Sequence, residues 1–180
     1  MLAANKNMEA GLDLDEYCTR IGYEGPRQPT VEVLHALTAA HSQSIPFENL
    51  DVVLGRPIQL EVEALYRKLV VARRGGYCFE QNGLFLEVLR ALGFESYPLS
   101  ARVRLGLAHR AQVAARTHLL VEVRIEGEAW LSDVGVGAAS LTRVLRWQVD
   151  VEQPTPHEPR RLQYEEGRWF HQMYRGGEWV

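Results

Sequence analysis

Residues 73–93 decide how this chain of 180 residues folds, and they read RRGGYCFEQNGLFLEVLRALG. After the glycine pair, apolar side chains cover most of the circumference of a helix that is expected to begin at or beside Cys78. Three residues form its narrow polar strip: Glu80, Glu87 and Arg90. Glycine at position 93 is typical of the residue that follows the last turn of such a helix. The segment therefore predicts a largely buried helix with a cysteine in its first turn.

Helical periodicity also precedes this segment. Thr30 can cap a helix in which four residues recur at helical spacing: Val31, Leu34, Leu37 and His41. A second helical stretch runs over residues 64–72, and the helices are interrupted at Pro46 and at residues 55–57. We therefore predict a helical bundle over residues 1–92.

The period of the apolar residues drops to two after Gly93, which predicts strands. Residues 97–103 alternate, and residues 117–125 alternate up to Glu126-Gly127, after which residues 129–134 continue. A hairpin across the Glu-Gly pair is the natural prediction. The Pro-rich stretch 150–161 predicts a loop followed by a short segment with Trp and Tyr and no obvious terminal element. The class is α+β, with a β-rich domain over residues 93–180.

Composition narrows the classes of function. Lys and Arg number 20 against 23 Asp and Glu, so the net charge of -3 gives no bulk attraction to nucleic acid or anionic lipid. Apolar runs are far shorter than a membrane span, and the N-terminus lacks the apolar block of a secretory signal, so a cytoplasmic protein is expected. Two cysteines, Cys18 and Cys78, exclude a disulfide scaffold, and no metal site is expected without a CxxC or HxxxH pattern.

Cys78 is the first candidate for chemistry. The free backbone N–H groups and the positive end of the dipole at a helix start stabilise a thiolate over a thiol, which favours a nucleophile near neutral pH. The alternative is that Cys78 is a small buried hydrophobe, as most lone cysteines are.

The predicted hairpin supplies a base and an acid. If Glu126-Gly127 is a two-residue turn, paired positions sum to 253, Leu120 faces Asp133, and His118 lies on the same face at a diagonal distance of about 7–8 Å. A four-residue turn keeps the shared face, whereas a three-residue turn separates the two groups. With an even turn, Asp133 can accept from one imidazole nitrogen and leave the other to take the proton of Cys78, as in acyl-transfer enzymes. Otherwise His118 is a surface strand histidine.

Five separated segments occur in the order of a known family. They are IGYEGP (21–26), PFENLD (46–51), RGGYCFEQNG (74–83), THLL (117–120) and WLSDVG (130–135). On these segments the chain resembles the arylamine N-acetyltransferases. The resemblance implies a helical bundle followed by a β-barrel-like domain with a cysteine-proteinase-like core. It also implies an acetylated Cys78, His118 as the base and Asp133 as its orienting acid.

In that family an acetyl group passes from acetyl-CoA to the cysteine and then to an aromatic amine or hydrazine. The resemblance implies that the acceptor pocket includes Phe47, Tyr77 and Val136, although ordinary core packing is an equal alternative for Phe47. It implies CoA contacts at Thr117 and Gly135. Glu48 and Asn49 are as readily caps or loop anchors as site residues, and they receive no catalytic role.

The chain departs from the family pattern in two places. Val136 stands where the family usually has Phe, which changes the expected acceptor preference. The sequence ends at Val180, before the usual third α/β domain, which predicts weaker CoA binding, acetyl-enzyme hydrolysis and self-association through apolar surface. Four arginines in an acid-free stretch could meet CoA phosphates or form a solvated loop: Arg102, Arg104, Arg110 and Arg116.

Two other functions remain open at this point. One is a related amide-forming enzyme, such as a macrolactam synthase with the same triad and a longer acyl donor. The other is a truncated, inactive protein that acts through contact with another chain.

Overall fold

The computed structural model describes residues 8–9, 11–104, 113 and 115–180, and it confirms a mixed helix-and-sheet fold. The helices are α1 (Leu14–Ile21), α2 (Val31–Ser44), α3 (Leu50–Val53), α4 (Val62–Tyr66), a π-helical turn (Arg67–Val71), α5 (Cys78–Ala91) and a 3-10 turn (Gly137–Ala139). The strands are β1 (Met8–Glu9), β2 (Leu12–Asp13), β3 (Glu95–Ala101), β4 (His118–Ile125), β5 (Glu128–Ser132), β6 (Leu145–Arg146), β7 (Arg160–Glu165), β8 (Arg168–Arg175) and β9 (Glu178–Trp179).

Helix α5 has the predicted bounds. Cys78 is its first residue, and Gly93, at φ 87°, follows its last turn and donates to the carbonyl of Arg90. The prediction that Glu80 belongs to an outer polar strip is wrong, because Glu80 is buried. Its carboxylate accepts from the backbone N–H of Tyr77 at 3.1 Å and from the half-buried Lys68 Nζ at 2.6 Å, so the first turn of the helix and this cation hold it inside.

The earlier helices follow the sequence pattern. Helix α2 begins after Thr30, whose hydroxyl accepts from the N–H of Val33 at 3.4 Å. The predicted helical stretch 64–72 is confirmed, and it is divided between α4 and the π-helical turn. Helix α1, which the sequence analysis did not identify, is capped by Asp13 and ends at Gly22.

The central sheet has the antiparallel order β3-β4-β5-β6. The predicted strand at β3 is confirmed, but its apolar residues do not form the buried face. Ser96 is buried and Tyr97 is 41% exposed. Ser96 pairs with the fully buried Val123, and residues paired in a ladder share a face of the sheet, so Ser96 faces the core. Pro98 is tolerated because β3 is an edge strand.

The hairpin of β4 and β5 has the predicted two-residue turn. Ile125 pairs with Glu128 and Val121 with Ser132, so paired positions sum to 253 as expected. Glu126 and Gly127 have φ angles of 52° and 81°, both in the left-handed region that such a tight hairpin requires. The register therefore places residues 118 and 133 at the same end and on the same face of the hairpin.

The C-terminus is more ordered than predicted. Beyond the loop, β7, β8 and β9 form a three-stranded antiparallel sheet. The prediction of only a short segment there is wrong, because Glu166-Gly167 and Gly176-Gly177 form tight turns with positive φ angles, like Glu126-Gly127. The predicted Pro-rich loop is confirmed up to Pro159, and β7 begins at the next residue, Arg160.

One apolar core joins residues on both sides of Gly93. It includes Tyr17, Leu34, Leu37, Leu69, Leu84, Phe85, Leu89, Val121 and Val123. Each sheet among the described residues is open, so the barrel-like arrangement and the division into 1–92 and 93–180 stay predictions. Within the part of the chain that the structure describes, no helix is long and apolar enough to cross a membrane.

Candidate active site

The site lies where the start of α5 meets one end of the β4–β5 hairpin. His118 is the first residue of β4, and Asp133 directly follows β5. His118 Nε2 donates to Asp133 Oδ2 over 2.6 Å, and both side chains are buried. The even hairpin turn and the inferred shared face thus bring together two residues that are 15 positions apart in sequence.

Cys78 meets the same imidazole from the helix. Cys78 is buried, with 8% of its residue surface exposed, and its Sγ donates to the carbonyl of Thr117 at 3.5 Å. Cys78 also interacts with the ring of His118 and contributes to raising its pKa. Because Asp133 occupies Nε2, Nδ1 is the ring nitrogen left for the thiol. His118 therefore has Asp133 on one side and Cys78 as a second neighbour.

Two partners stabilise the charged form of His118. Burial by itself would lower the pKa of His118, but hydrogen bonds to Asp133 and Cys78, with their negative charges, raise it to about 9. The ring of His118 therefore holds a proton at neutral pH.

The stability of the protein is expected to depend on this proton. Since the pKa is raised in the folded state, the stabilisation is complete below pH ~6.5 and is lost as the pH rises through about 9. Urea unfolding measures the free energy of unfolding of the wild type and of His118→Gln. The advantage of the wild type in this free energy should shrink by roughly 3 kcal/mol between pH 6 and 9.5. An advantage that does not change with pH would show that the folded ring is neutral.

Asn82 is a site residue that the sequence analysis missed. It lies on α5, is fully buried, and its Nδ2 donates to Asp133 Oδ1 at 3.0 Å and to the carbonyl of Leu119 at 2.6 Å. Its Oδ1 accepts from the N–H of Val134 at 3.0 Å. An amide on a mostly apolar helix, four residues after the cysteine and outside its expected polar strip, is the signal that could have identified it.

Gly135 lets the hairpin approach the helix. A Cβ there would lie 2.6 Å from Asn82 Nδ2 and 2.9 Å from the Cα of Cys78. Its N–H donates to Asp133 Oδ1 at 3.1 Å, so this group is already engaged within the site. The CoA contact implied for Gly135 stays a prediction.

The loop before Cys78 is tied to residues 45–48. Gly76 exchanges backbone hydrogen bonds with this segment, and a Cβ on Gly75 would lie 2.1 Å from the carbonyl oxygen of Pro46. Gln81 Nε2 lies within hydrogen-bonding distance of the carbonyls of Pro46 and Gly76, at 2.9 and 3.2 Å. The side chain of Gln81 therefore links the segment that carries Phe47 to the segment that carries Cys78.

A cluster of charges holds the same loop from outside. Lys68 Nζ contacts Asp51 at 2.8 Å and Glu80 at 2.6 Å, while Arg74 contacts Glu48 at 2.7 Å and Asp51 at 3.0 Å. Hydrogen bonds from Lys68 and Arg74 lower the pKa of Asp51 to about 2. Glu48 is thus a loop anchor, one of the roles that its sequence position allowed.

A cavity of about 390 Å³ lies beside the loop that follows Asp133. It is lined by Ser42, Ile45, Phe47, Val134, Gly137, Ala138 and Ser140. Phe47 is 47% exposed, so it is not an ordinary core residue. The N–H of Val136 donates to Ser140 Oγ at 3.0 Å, and the Tyr77 ring lies 5.6 Å from the ring of Phe79. The cavity volume is within the range of small-molecule sites.

The other residues predicted to contact CoA lie beside Cys78 or in the segment between β3 and β4. Thr117 is exposed beside Cys78, while Arg102, Arg104 and Arg116 lie between β3 and β4. Arg110 lies outside the described residues. In the described part of the chain, no group of three or more His, Cys, Asp or Glu is arranged to hold a metal ion.

Comparison with known proteins identifies the family. A family model described as N-acetyltransferase matches residues 30–180. The arylamine N-acetyltransferase / N-hydroxyarylamine O-acetyltransferase of Salmonella typhimurium is 48% identical over 166 residues, which cover 92% of this chain and 58% of that protein. The arylamine N-acetyltransferase of Mycolicibacterium smegmatis is 49% identical over 154 residues, 84% of this chain and 56% of that protein.

Solved structures agree. The Mycobacterium tuberculosis arylamine N-acetyltransferase superposes with a TM-score of 0.89 at 44% identity, over 93% of this chain and 63% of that one. The Mycobacterium marinum enzyme in complex with CoA gives 0.88 at 40% identity, over 93% and 62%. The chain is therefore an N-acetyltransferase homologue, and it belongs to the arylamine N-acetyltransferase family. It spans under two thirds of the length of these relatives.

Proposed function

We propose that this chain transfers an acetyl group from acetyl-CoA to an aromatic amine or hydrazine through an acetylated Cys78. The observation that carries the proposal is the buried pair of His118 and Asp133, with 2.6 Å between His118 Nε2 and Asp133 Oδ2, beside Cys78 at the start of α5. The names of the relatives, and the CoA complex of the Mycobacterium marinum enzyme, support the choice of donor and acceptor.

The first step forms the acetyl-enzyme. The Cys78 thiolate attacks the thioester carbonyl, a new thioester bond forms at Sγ, and the bond to the sulfur of CoA breaks. The departing CoA thiolate takes the proton held by His118. Asp133 orients the ring and compensates its positive charge before transfer.

The second step releases the product. The acceptor nitrogen attacks the acetyl carbon, the bond to Sγ breaks, and neutral His118 accepts the proton from nitrogen. The Cys78 thiolate and the imidazolium are regenerated. Phe47, Tyr77 and Val136 are proposed to bound the flat acceptor, while Thr117 and Gly135 are proposed to contact the donor.

The test is mass spectrometry after brief exposure to acetyl-CoA. One acetyl group should appear on the peptide that contains Cys78, and Cys78→Ser should not acquire it on this timescale. Cys18 is an internal control, because it is buried and burial raises the pKa of its thiol. An adduct on Cys18, or one that survives Cys78→Ser, would overturn the assignment.

A second donor separates the proposal from an amide synthase. Cys78 is expected to react faster with acetyl-CoA than with a long polyketide-like thioester, and the acetyl group should then move to an arylamine. Preference for the long thioester would support the macrolactam-synthase alternative. Sedimentation at several protein concentrations tests the predicted self-association.

A further inference from the structure

Asn82 connects the three elements that carry the proposed triad. It belongs to the helix of Cys78, donates to the carboxylate of Asp133, and donates to the carbonyl of Leu119, the residue after His118. The side chain is fully buried, and its oxygen accepts from the N–H of Val134. Its two N–H hydrogens and its carbonyl are all used.

This orientation of the amide is fixed. A flipped amide would direct its oxygen at two acceptors, Asp133 Oδ1 and the carbonyl of Leu119, and its NH₂ group at the N–H of Val134. Every contact would then be repulsive. Asp133 Oδ1 therefore always faces donors, from Asn82 and from the N–H of Gly135, and Oδ2 is left for His118.

We propose that Asn82 is a positioning residue, which sets the rotation of the Asp133 carboxylate and holds the start of β4 against α5, so that His118 stays aligned between Asp133 and Cys78. This inference rests on the proposed function for its consequence in acetyl transfer. Its structural part concerns the state of His118 and can be tested without any acetyl group.

The other charged groups near His118 lie on different elements. Cys78 interacts electrostatically with the ring from α5. Arg160 of β7 and His171 of β8 both interact electrostatically with Asp133, and burial, followed by the charge of Arg160, lowers the pKa of His171 to about 4. In the described part of the chain, the side-chain hydrogen bonds of Cys78, Arg160 and His171 go to groups other than Asn82. Substitution of Asn82 should therefore change the electrostatic potential at His118 chiefly through Asp133.

The experiment compares Asn82→Leu and Asn82→Ala with wild type. Leu removes all three hydrogen bonds but fills the space, whereas Ala leaves room for a water that can donate to Asp133. Thr38→Val is the matched control, because it removes another buried hydrogen bond, 3.0 Å between Thr38 Oγ1 and Ser132 Oγ, beside Asp133 but outside the triad. Folding of each variant is checked by thermal unfolding.

Two readouts are used. The first is the titration midpoint of His118 by NMR, which should fall by about one unit or more in Asn82→Leu, less in Asn82→Ala, and not in Thr38→Val. The second is the pH profile of Cys78 alkylation by iodoacetamide, whose rate at neutral pH should fall about tenfold in Asn82→Leu. If Asn82→Leu does not fold, the Asn82→Ala titration decides.

The outcomes are distinct. An unchanged or raised His118 midpoint in folded Asn82 variants would overturn the inference, since Asn82 would then be a core amide or a competitor for the carboxylate. If the midpoint falls but wild-type Cys78 is never acetylated, the positioning role stands and the proposed function fails. Equal shifts in Thr38→Val would also overturn the inference, because loosening of the core would then explain them.

Discussion

Asp133→Asn is expected to lower the rate of Cys78 acetylation by about 10⁴-fold, the loss known for an orienting carboxylate in a Ser-His-Asp triad, while the fold persists. Asn82 Nδ2 and the N–H of Gly135 both donate to the position of Oδ1, so the new amide must place its oxygen there. Its NH₂ group then faces His118 Nε2. The ring is forced to protonate at Nδ1 and cannot accept the proton of Cys78.

Stopped-flow measurement of CoA release from acetyl-CoA gives this rate. Glu122→Gln is the matched control, because it changes another carboxylate to an amide within the same hairpin, where Glu122 contacts only Arg124 among the ion pairs of the described residues. That variant should react at nearly the wild-type rate. Near wild-type acetylation of Asp133→Asn would show that Asp133 is merely structural.

Gly135→Ala is expected to have the second largest effect, on stability and on transfer together. The added Cβ would lie 2.6 Å from Asn82 Nδ2, 2.9 Å from the Cα of Cys78 and 3.2 Å from its carbonyl oxygen. Backbone atoms cannot rotate away, so the hairpin and α5 must separate. We expect a loss of about 3 kcal/mol in the free energy of unfolding and a fall of about 10²-fold in transfer.

Gly83→Ala is the control for this prediction. Gly83 lies in α5, the helix that Gly135 approaches, and a Cβ there would meet only the end of the Leu65 side chain, at 3.2 Å. Alanine also has the higher helix propensity, which offsets part of the crowding. Chemical denaturation and CoA release are measured for both variants. A Gly135→Ala protein as stable and active as Gly83→Ala would contradict the close approach of hairpin and helix.

The outline of the site could be predicted from local sequence patterns. The apolar run after Gly75-Gly76 placed Cys78 at the start of α5, and alternation around Glu126-Gly127 placed His118 and Asp133 on one face of a hairpin. Each prediction depends only on residues of one helix or one hairpin, which are close to one another along the chain. The same Glu-Gly signature at residues 166–167 predicts β7 and β8 equally well, and applying it there would have revealed the C-terminal sheet.

Burial of polar residues could not be predicted in this way. Glu80 has the spacing of an outer polar strip, yet Lys68 and the N–H of Tyr77 hold it inside. Ser96 belongs to the polar half of an alternating strand, yet it faces the core because its partner is Val123. In each case the deciding partner lies on another element, and helical or strand periodicity reports only on the residue's own element.

The sequence by itself determined the change from helices to strands after Gly93, the helix start at Cys78 and the hairpin register, because propensity, periodicity and turn chemistry act between neighbours along the chain. Only the tertiary structure decided that Asn82 holds Asp133 and that Gly135 lies against Cys78. Those contacts join residues more than 50 positions apart. They exist because close packing of α5 against the hairpin excludes water, so that buried donors and acceptors such as those of Asn82 and Asp133 find their partners across the interface.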